Sequence, residues 1–243
     1  MTRTALRVGG AIGVAHVVVA LTGFAISFRE GVDVTLAAPK ENLATFFVNG
    51  DAGTTFLGGH LEMLGFLLLL PFAAALYRLL RWAEPTSGFG ATTSLLAVTA
   101  FLTTTLSPGF AAGGAALWMG THGGDLSSVE TLNQLRNTTY VTSLAAYALF
   151  FAAVGVSALA SRSLPRLLSL SALGIGAWLV VGIAFFADGQ ADLPAMAGLL
   201  WVLVASIWML RARPRNSSRP AGAAASEPAG AAASVPAEAV SAA

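Results

Sequence analysis

Residues Thr55–Tyr77 read TFLGGHLEMLGFLLLLPFAAALY, an apolar run in which Glu62 is the only formal charge. An α-helix rises about 1.5 Å per residue, so about 20 apolar residues cross a hydrocarbon core about 30 Å thick. The run therefore predicts a transmembrane helix. Five other runs have the same character: Val8–Phe28, Ala91–Met119, Thr138–Ser161, Leu167–Ala187 and Leu193–Leu210. We expect an all-α polytopic membrane protein, a bundle of six transmembrane helices.

The composition agrees with this assignment. Hydrophobic residues make up 56% of the chain and charged residues 10%, whereas a soluble domain has about 25% charged residues. Basic residues occur singly or in small groups, so we expect a lipid bilayer around the chain and no nucleic-acid partner. Cysteine is absent, which excludes disulfides, thiolate metal sites and cysteine nucleophiles. The preference for arginine over lysine, together with abundant alanine and glycine, indicates a GC-rich bacterial genome.

Basic residues predict the orientation, because cytoplasmic loops are enriched in lysine and arginine. Ten of the thirteen basic residues lie at alternate ends of the six runs: Arg3, Arg7, Arg78, Arg81, Arg162, Arg166, Arg211, Arg213, Arg215 and Arg219. The opposite ends hold eight of the twelve acidic residues: Glu30, Asp33, Glu41, Asp51, Asp125, Glu130, Asp188 and Asp192. We therefore expect a multi-pass protein of the bacterial inner (plasma) membrane with both termini in the cytoplasm.

Two segments outside the runs have patterns of their own. Leucine and valine recur at helical spacing within Leu126–Arg136, which predicts a helix that lies on the membrane or continues into the fourth run. Residues 212–243 are rich in alanine, proline, serine and glycine, which predicts a disordered cytoplasmic tail. The first run also allows a signal peptide, but at about 20 residues it exceeds the apolar region of 7–15 residues that such peptides have.

Glu62 is the strongest candidate for a functional residue. An acid at the centre of a membrane helix costs about 2.5–3.5 kcal/mol, and such acids are functional hypotheses by default. Gly58, Gly65, Leu69 and Ala73 share the helix face of Glu62, so we expect this face to pack into the bundle. The alternative is a protonated Glu62 that only hydrogen-bonds a neighbouring helix.

Other polar residues are predicted within the membrane, with the hydroxyls at about the depth of Glu62 and His16 about 10 Å deeper. His16 lies mid-way along the first run on a face of small residues, which predicts contact with a partner helix. The third run carries hydroxyls at Thr103–Thr105 and Ser107 beside Pro108, which should kink the helix. Tyr147 lies in the same outer half of the fourth run. These hydroxyls serve either as helix-to-helix hydrogen bonds or as one wall of a pocket. The candidate ligand-binding set is Glu62, His16, Thr104, Ser107 and Tyr147.

Function is predicted only in outline. No metalloprotease, phosphate-loop or nucleophile-elbow motif occurs in the sequence, and we expect no cofactor, no metal and a non-enzymatic role. The leading hypothesis is a pocket, open to the outside, that binds or passes a small molecule or a proton. One alternative is an intramembrane enzyme for a lipid-linked substrate, with Glu62 or His16 as general base. The other is an accessory protein that binds another membrane subunit or a second copy of itself.

Two stretches carry a resemblance to a known family. Leu61–Arg81, which reads LEMLGFLLLLPFAAALYRLLR, and Ser163–Leu168, which reads SLPRLL, resemble a family of bacterial six-helix membrane proteins described only as a domain of unknown function. The similarity in layout extends over about residues 7–211. It implies six helices and a bacterial inner membrane, and it implies no catalytic residue.

Overall fold

A computed structural model describes residues 2–28, 32–36, 38–84, 88–185 and 192–212. Within these ranges the secondary structure is helical and no strand occurs. The helices are α1 (Arg3–Ser27), α2 (Lys40–Leu43), α3 (Ala52–Ala83), α4 (Phe89–Thr104), α5 (Phe110–Thr121), α6 (Leu126–Ser161), α7 (Arg166–Ala184) and α8 (Asp192–Arg211). Six spans are long and apolar enough to cross a membrane: α1, α3, α4 with α5, α6, α7 and α8. The predicted six-helix membrane fold is confirmed.

The third span is distorted where the sequence places Pro108. A π-helical turn, Thr105–Gly109, joins α4 to α5, and the Phe110 N–H donates to the carbonyl of Thr105. Proline has no N–H to donate and its ring crowds the preceding turn, so the helix widens by one residue here instead of ending. A second π-helical turn, Ala44–Val48, follows α2.

Helix α6 begins much earlier than the fourth apolar run. Asp125 caps its first turn, because the carboxylate accepts from the Ser128 N–H at 2.9 Å and from the Ser128 hydroxyl at 2.7 Å. These bonds hold the pKa of Asp125 below its ordinary value. Leu126–Arg136 therefore continues directly into the fourth span, which decides between the two arrangements that its pattern allows.

Small residues bring α1 and α3 into close contact. A β-carbon added to Gly23 would lie 2.3 Å from the backbone nitrogen of Glu62, and one added to Gly65 would lie 2.6 Å from the backbone nitrogen of Ala20. Gly58, Gly65, Leu69 and Ala73 are all buried, so the predicted packing of this face is confirmed. Helix α1 also packs on α8, while α6 contacts α4, α5 and α7.

The outside of the bundle is apolar, as a lipid-facing surface must be. Leu96, Val156 and Val180 are 65%, 60% and 62% exposed, although they lie well inside their spans. Water would make such a continuous apolar surface costly, whereas lipid chains do not. This surface and the six spans make the chain a multi-pass membrane protein.

A short segment covers one end of the bundle. Residues 32–36, named here the cap loop, lie against α6, where the side-chain amides of Asn133 and Asn137 both donate to the carbonyl of Val34, at 3.1 and 3.0 Å. An ion pair between Lys40 and Glu130, 2.9 Å long, joins α2 to the same helix. The cap loop is therefore held in place by polar bonds to the first turns of α6.

The remaining boundaries differ modestly from the predicted ones. Helix α3 extends the second run at both ends, to Ala52 and Ala83, because helix continues beyond the hydrocarbon core. The predicted end of the fifth run at Ala187 and the predicted tail from residue 213 onward lie outside the described residues.

Candidate functional site

A cavity of about 740 Å³ lies beneath the cap loop, between α1, α3, α5, α6 and α8. Its size is within the range of about 300–1,000 Å³ that small-molecule sites have. Aromatic side chains from α1, α3, α4, α5 and α6 line it, among them Phe24, Phe56, Phe101, Phe110 and Tyr147. The walls are thus mostly apolar, and few polar groups face the cavity.

Glu62 lines the cavity, as its helix face predicts. Its backbone lies in the close contact between α3 and α1, next to Gly23. The carboxylate is only partly buried, and it forms no hydrogen bond or ion pair shorter than 4 Å with any residue that the structure describes. A carboxylate in an apolar wall without a close protein partner is available to a ligand.

Arg136 supplies the positive charge of the cavity. It lies on α6, and its guanidinium interacts electrostatically with both Glu62 and Asp192. One guanidinium nitrogen donates to the side-chain oxygen of Asn133 at 3.3 Å. The guanidinium carbon also lies 6.0 Å from the centre of the Phe28 ring, within reach of a cation–π interaction. Arg136 therefore has one hydrogen bond and one ring contact, and two carboxylates act on it electrostatically.

A second acidic group lies at the first residue of α8. Asp192 is exposed and lines the cavity, and it interacts electrostatically with Tyr140, which also lines the cavity. Asp33 of the cap loop lines the cavity as well and interacts electrostatically with Asp192. Its carboxylate accepts from the Thr35 N–H at 2.9 Å, which fixes the turn of the loop. Carboxylates from three separate elements thus converge on the cavity.

The deep end of the cavity is aromatic. The rings of Phe101 and Tyr147 stack with centres 4.4 Å apart, and Phe66 packs edge-on against Phe101. Beside them, the Thr105 hydroxyl donates to the Ser143 hydroxyl at 3.0 Å, and Ser143 donates to the carbonyl of Tyr140. These hydroxyls join the π-helical turn to α6, so they position the walls.

His16 does not line this cavity. It is fully buried between α1 and α3, where Nδ1 donates to the carbonyl of Gly65 at 2.7 Å. Its Nε2 atom has no hydrogen-bond partner in the described part of the chain. Contact with a partner helix is confirmed, but the histidine forms no catalytic pair with Glu62 there.

The structure divides the five predicted site residues. Glu62 and Tyr147 line the cavity, whereas His16, Thr104 and Ser107 are not among its lining residues. Ser107 is exposed and Thr104 is half-buried, whereas the neighbouring Thr105 is buried and lines the cavity.

The prediction omitted Arg136, Tyr140 and Asp192. A signal for the first two is present in the sequence. Asn133, Arg136, Tyr140 and Tyr147 recur at helical spacing, but the pattern is visible only if α6 starts before residue 133.

The arrangement suits binding better than acid–base catalysis or metal coordination. Among the described residues no group of three or more histidine and acidic side chains is placed to hold a metal ion. No family model, curated protein or solved structure matches the chain. The geometry of the cavity is therefore the basis for a functional proposal.

Proposed function

We propose that this protein binds a small amphipathic molecule in the cavity beneath the cap loop. The observation that carries the proposal is the cavity itself, whose volume of about 740 Å³ is lined by aromatic rings and by Glu62, Arg136, Asp33 and Asp192. Apolar walls with a few fixed polar groups are the usual composition of a ligand site, because the walls supply affinity and the polar groups supply orientation.

The ligand enters from outside the cell in this proposal. The cavity lies at the end of the bundle where α1 ends and α3 begins, opposite the end that carries Arg3, Arg78, Arg162 and Arg211. The enrichment of arginine in cytoplasmic loops supports a cytoplasmic location for that opposite end and for both termini. The resemblance of Leu61–Arg81 supports a bacterial inner membrane.

Filling the cavity tests the proposal. Gly114 lines the cavity, and a β-carbon added there would meet no atom within 4 Å. Gly174 on α7 is equally open but does not line the cavity. We expect purified protein in nanodiscs to bind the uncharged fluorescent probe N-phenyl-1-naphthylamine. Gly114→Phe should weaken this binding at least about tenfold, since a phenyl ring would occupy the apolar space, whereas Gly174→Phe should leave it unchanged.

The outcome separates this proposal from its alternatives. If both variants bind like the parent protein, or if the parent binds no more probe than empty nanodiscs do, the cavity is not a ligand site. The accessory role would then gain support, provided that a membrane-protein partner co-purifies in stoichiometric amount.

A further inference from the structure

We propose that the ligand is a lipophilic organic cation, a molecule whose positive charge is carried on an apolar body. This inference rests on the proposed function, because it names the chemical class that the cavity takes. It depends on which charges line the cavity and on what each of them already contacts.

The sum of the charges is negative. Asp33, Glu62 and Asp192 contribute three negative charges and Arg136 contributes one positive charge, so the described lining has a formal charge of −2 when all four are ionised and His60, which also lines the cavity, is neutral. A cation entering the cavity would therefore lower the electrostatic energy of the site, and an anion would raise it. Low-dielectric walls strengthen both effects.

Arg136 is poorly placed to receive an anion. Its guanidinium already interacts with Glu62 and Asp192, donates to Asn133 and faces the ring of Phe28. Neither carboxylate forms an ion pair with Arg136 within 4 Å, but both act on it electrostatically, so an anionic ligand beside the guanidinium would be repelled by both. Glu62 interacts electrostatically with Arg136 but has no hydrogen bond or ion pair within 4 Å among the described residues, so its carboxylate oxygens can accept from an incoming cation.

The aromatic walls favour the same class. Organic cations are attracted to the faces of aromatic rings, and cages of such rings recognise quaternary ammonium groups. Phe24, Phe56 and Phe66 line the cavity in the same part of α1 and α3 as Glu62, while Phe101 and Tyr147 close its deep end. A hydrated metal ion would gain nothing from these walls, whereas an apolar cation would gain both burial and charge pairing.

A matched pair of probes isolates the sign of the charge. Tetraphenylphosphonium and tetraphenylborate have nearly the same size and shape and opposite charge. Their binding to the full-length protein in nanodiscs would be measured by equilibrium dialysis, with protein-free nanodiscs of the same lipid subtracting the partition of each ion into the bilayer. We expect the protein to bind the phosphonium at least about tenfold more tightly than the borate, since two net negative charges act on both ions.

Single-charge variants assign the preference to the cavity. Glu62→Gln keeps the shape of the side chain and removes its charge, and we expect it to weaken phosphonium binding about tenfold. Asp192→Asn should weaken it less, because Asp192 is exposed. Glu41→Gln is the matched control: it removes one exposed acid near the same end of the bundle that does not line the cavity. The control should bind like the parent.

The possible results are distinguishable. Loss of phosphonium affinity in Glu62→Gln and not in Glu41→Gln supports the proposal. Equal affinity for the two ions, or tighter binding of the borate, overturns it. If N-phenyl-1-naphthylamine still binds and Gly114→Phe still abolishes that binding, only the charge class is wrong. If neither ion nor the neutral probe binds, the cavity is no ligand site at all.

Discussion

Two polar residues within the membrane spans, His16 and Glu62, have different surroundings. His16 is buried, and its one hydrogen bond runs to the backbone of the neighbouring helix. Glu62 lies on α3 three residues before Gly65, the residue that His16 contacts, and faces an open cavity. A buried group that bonds to backbone stabilises a helix contact, whereas a group that faces unoccupied volume is available for binding. The two residues therefore have separate roles.

Replacement of His16 should alter stability and not binding. His16→Leu introduces an apolar side chain of similar size and removes the bond from Nδ1 to the Gly65 carbonyl. Hydrogen bonds between membrane helices contribute about 0.6 kcal/mol on average and at most about 1.7 kcal/mol, so we expect a loss of about 1 kcal/mol in unfolding free energy. Steric trapping in lipid would measure it.

His16→Asn is the control for this prediction. The asparagine amide can take the place of Nδ1 as donor, and it removes the unpartnered Nε2 atom. We expect it to retain more of the stability than leucine does, and we expect both variants to bind N-phenyl-1-naphthylamine normally. Loss of probe binding in a folded His16→Leu protein would instead indicate that His16 contributes to ligand binding.

At the scale of elements, the cap loop and α6 form the roof and one wall of the cavity. The Val34 carbonyl accepts from Asn133 and Asn137, one helical turn apart on α6, and Arg136 and Tyr140 follow on the same helix. A single helix thus both anchors the roof and presents charge to the ligand. Any change in how the roof is held should appear in the rates of ligand exchange.

Releasing the cap loop should speed ligand exchange. Asn137→Ala removes one donor to Val34, and the Asn133→Ala and Asn137→Ala double variant removes both. Each bond contributes about 0.5–1.5 kcal/mol, so we expect the dissociation rate of N-phenyl-1-naphthylamine to rise about threefold in the single variant and about tenfold or more in the double variant. Stopped-flow displacement would measure the rates.

Gln134→Ala is the matched control for the loop variants, since Gln134 is exposed on the same turn of α6. Its dissociation rate should equal that of the parent. Unchanged rates in the double variant would mean that the ligand leaves by another route, such as laterally between helices.

The sequence predicts elements better than it predicts the site, and the reason is physical. Six spans follow from composition because the cost of exposing backbone and charge to lipid acts on every residue of a run. Glu62 follows because a charge within such a run is conspicuous. Thr104 and Thr105 are neighbours on one helix and therefore point about 100° apart, and the local composition does not indicate that Thr105 is the one that lines the cavity.

Arg136 and Asp192 were missed for another reason. Hydropathy places the start of the fourth run at Thr138 and that of the sixth at Leu193, so both charges lie outside the predicted spans, although Arg136 ends a predicted helix. Helix α6 in fact begins at Leu126 because the cap at Asp125 and the apolar spacing of its first turns extend it. Residues of α6, α8 and the cap loop come together only when the helices pack. The hydropathy of a single run therefore cannot predict that they share a cavity.

At the scale of the whole molecule, charge is sorted between the two ends of the bundle. The described residues at the end where α3 stops and α4 begins include Arg78, Arg81, Arg162 and Arg166, while the cavity end is acidic. An acidic mouth would attract cations from the solution on its side of the membrane. An organic cation would therefore be drawn from outside the cell if the mouth faces outward, as the proposed orientation has it.

The absence of native cysteine allows that orientation to be measured with single introduced thiols. Ser127 is exposed near the start of α6, at the cavity end, and Ser218 follows α8 in the sequence. In intact spheroplasts we expect a membrane-impermeant maleimide to label Ser127→Cys and to label Ser218→Cys only after the membrane is permeabilised, because six crossings place these positions on opposite sides. The unsubstituted protein, which has no thiol, gives the background. The reverse pattern would place the cavity mouth in the cytoplasm, and the ligand would then have to be drawn from inside the cell.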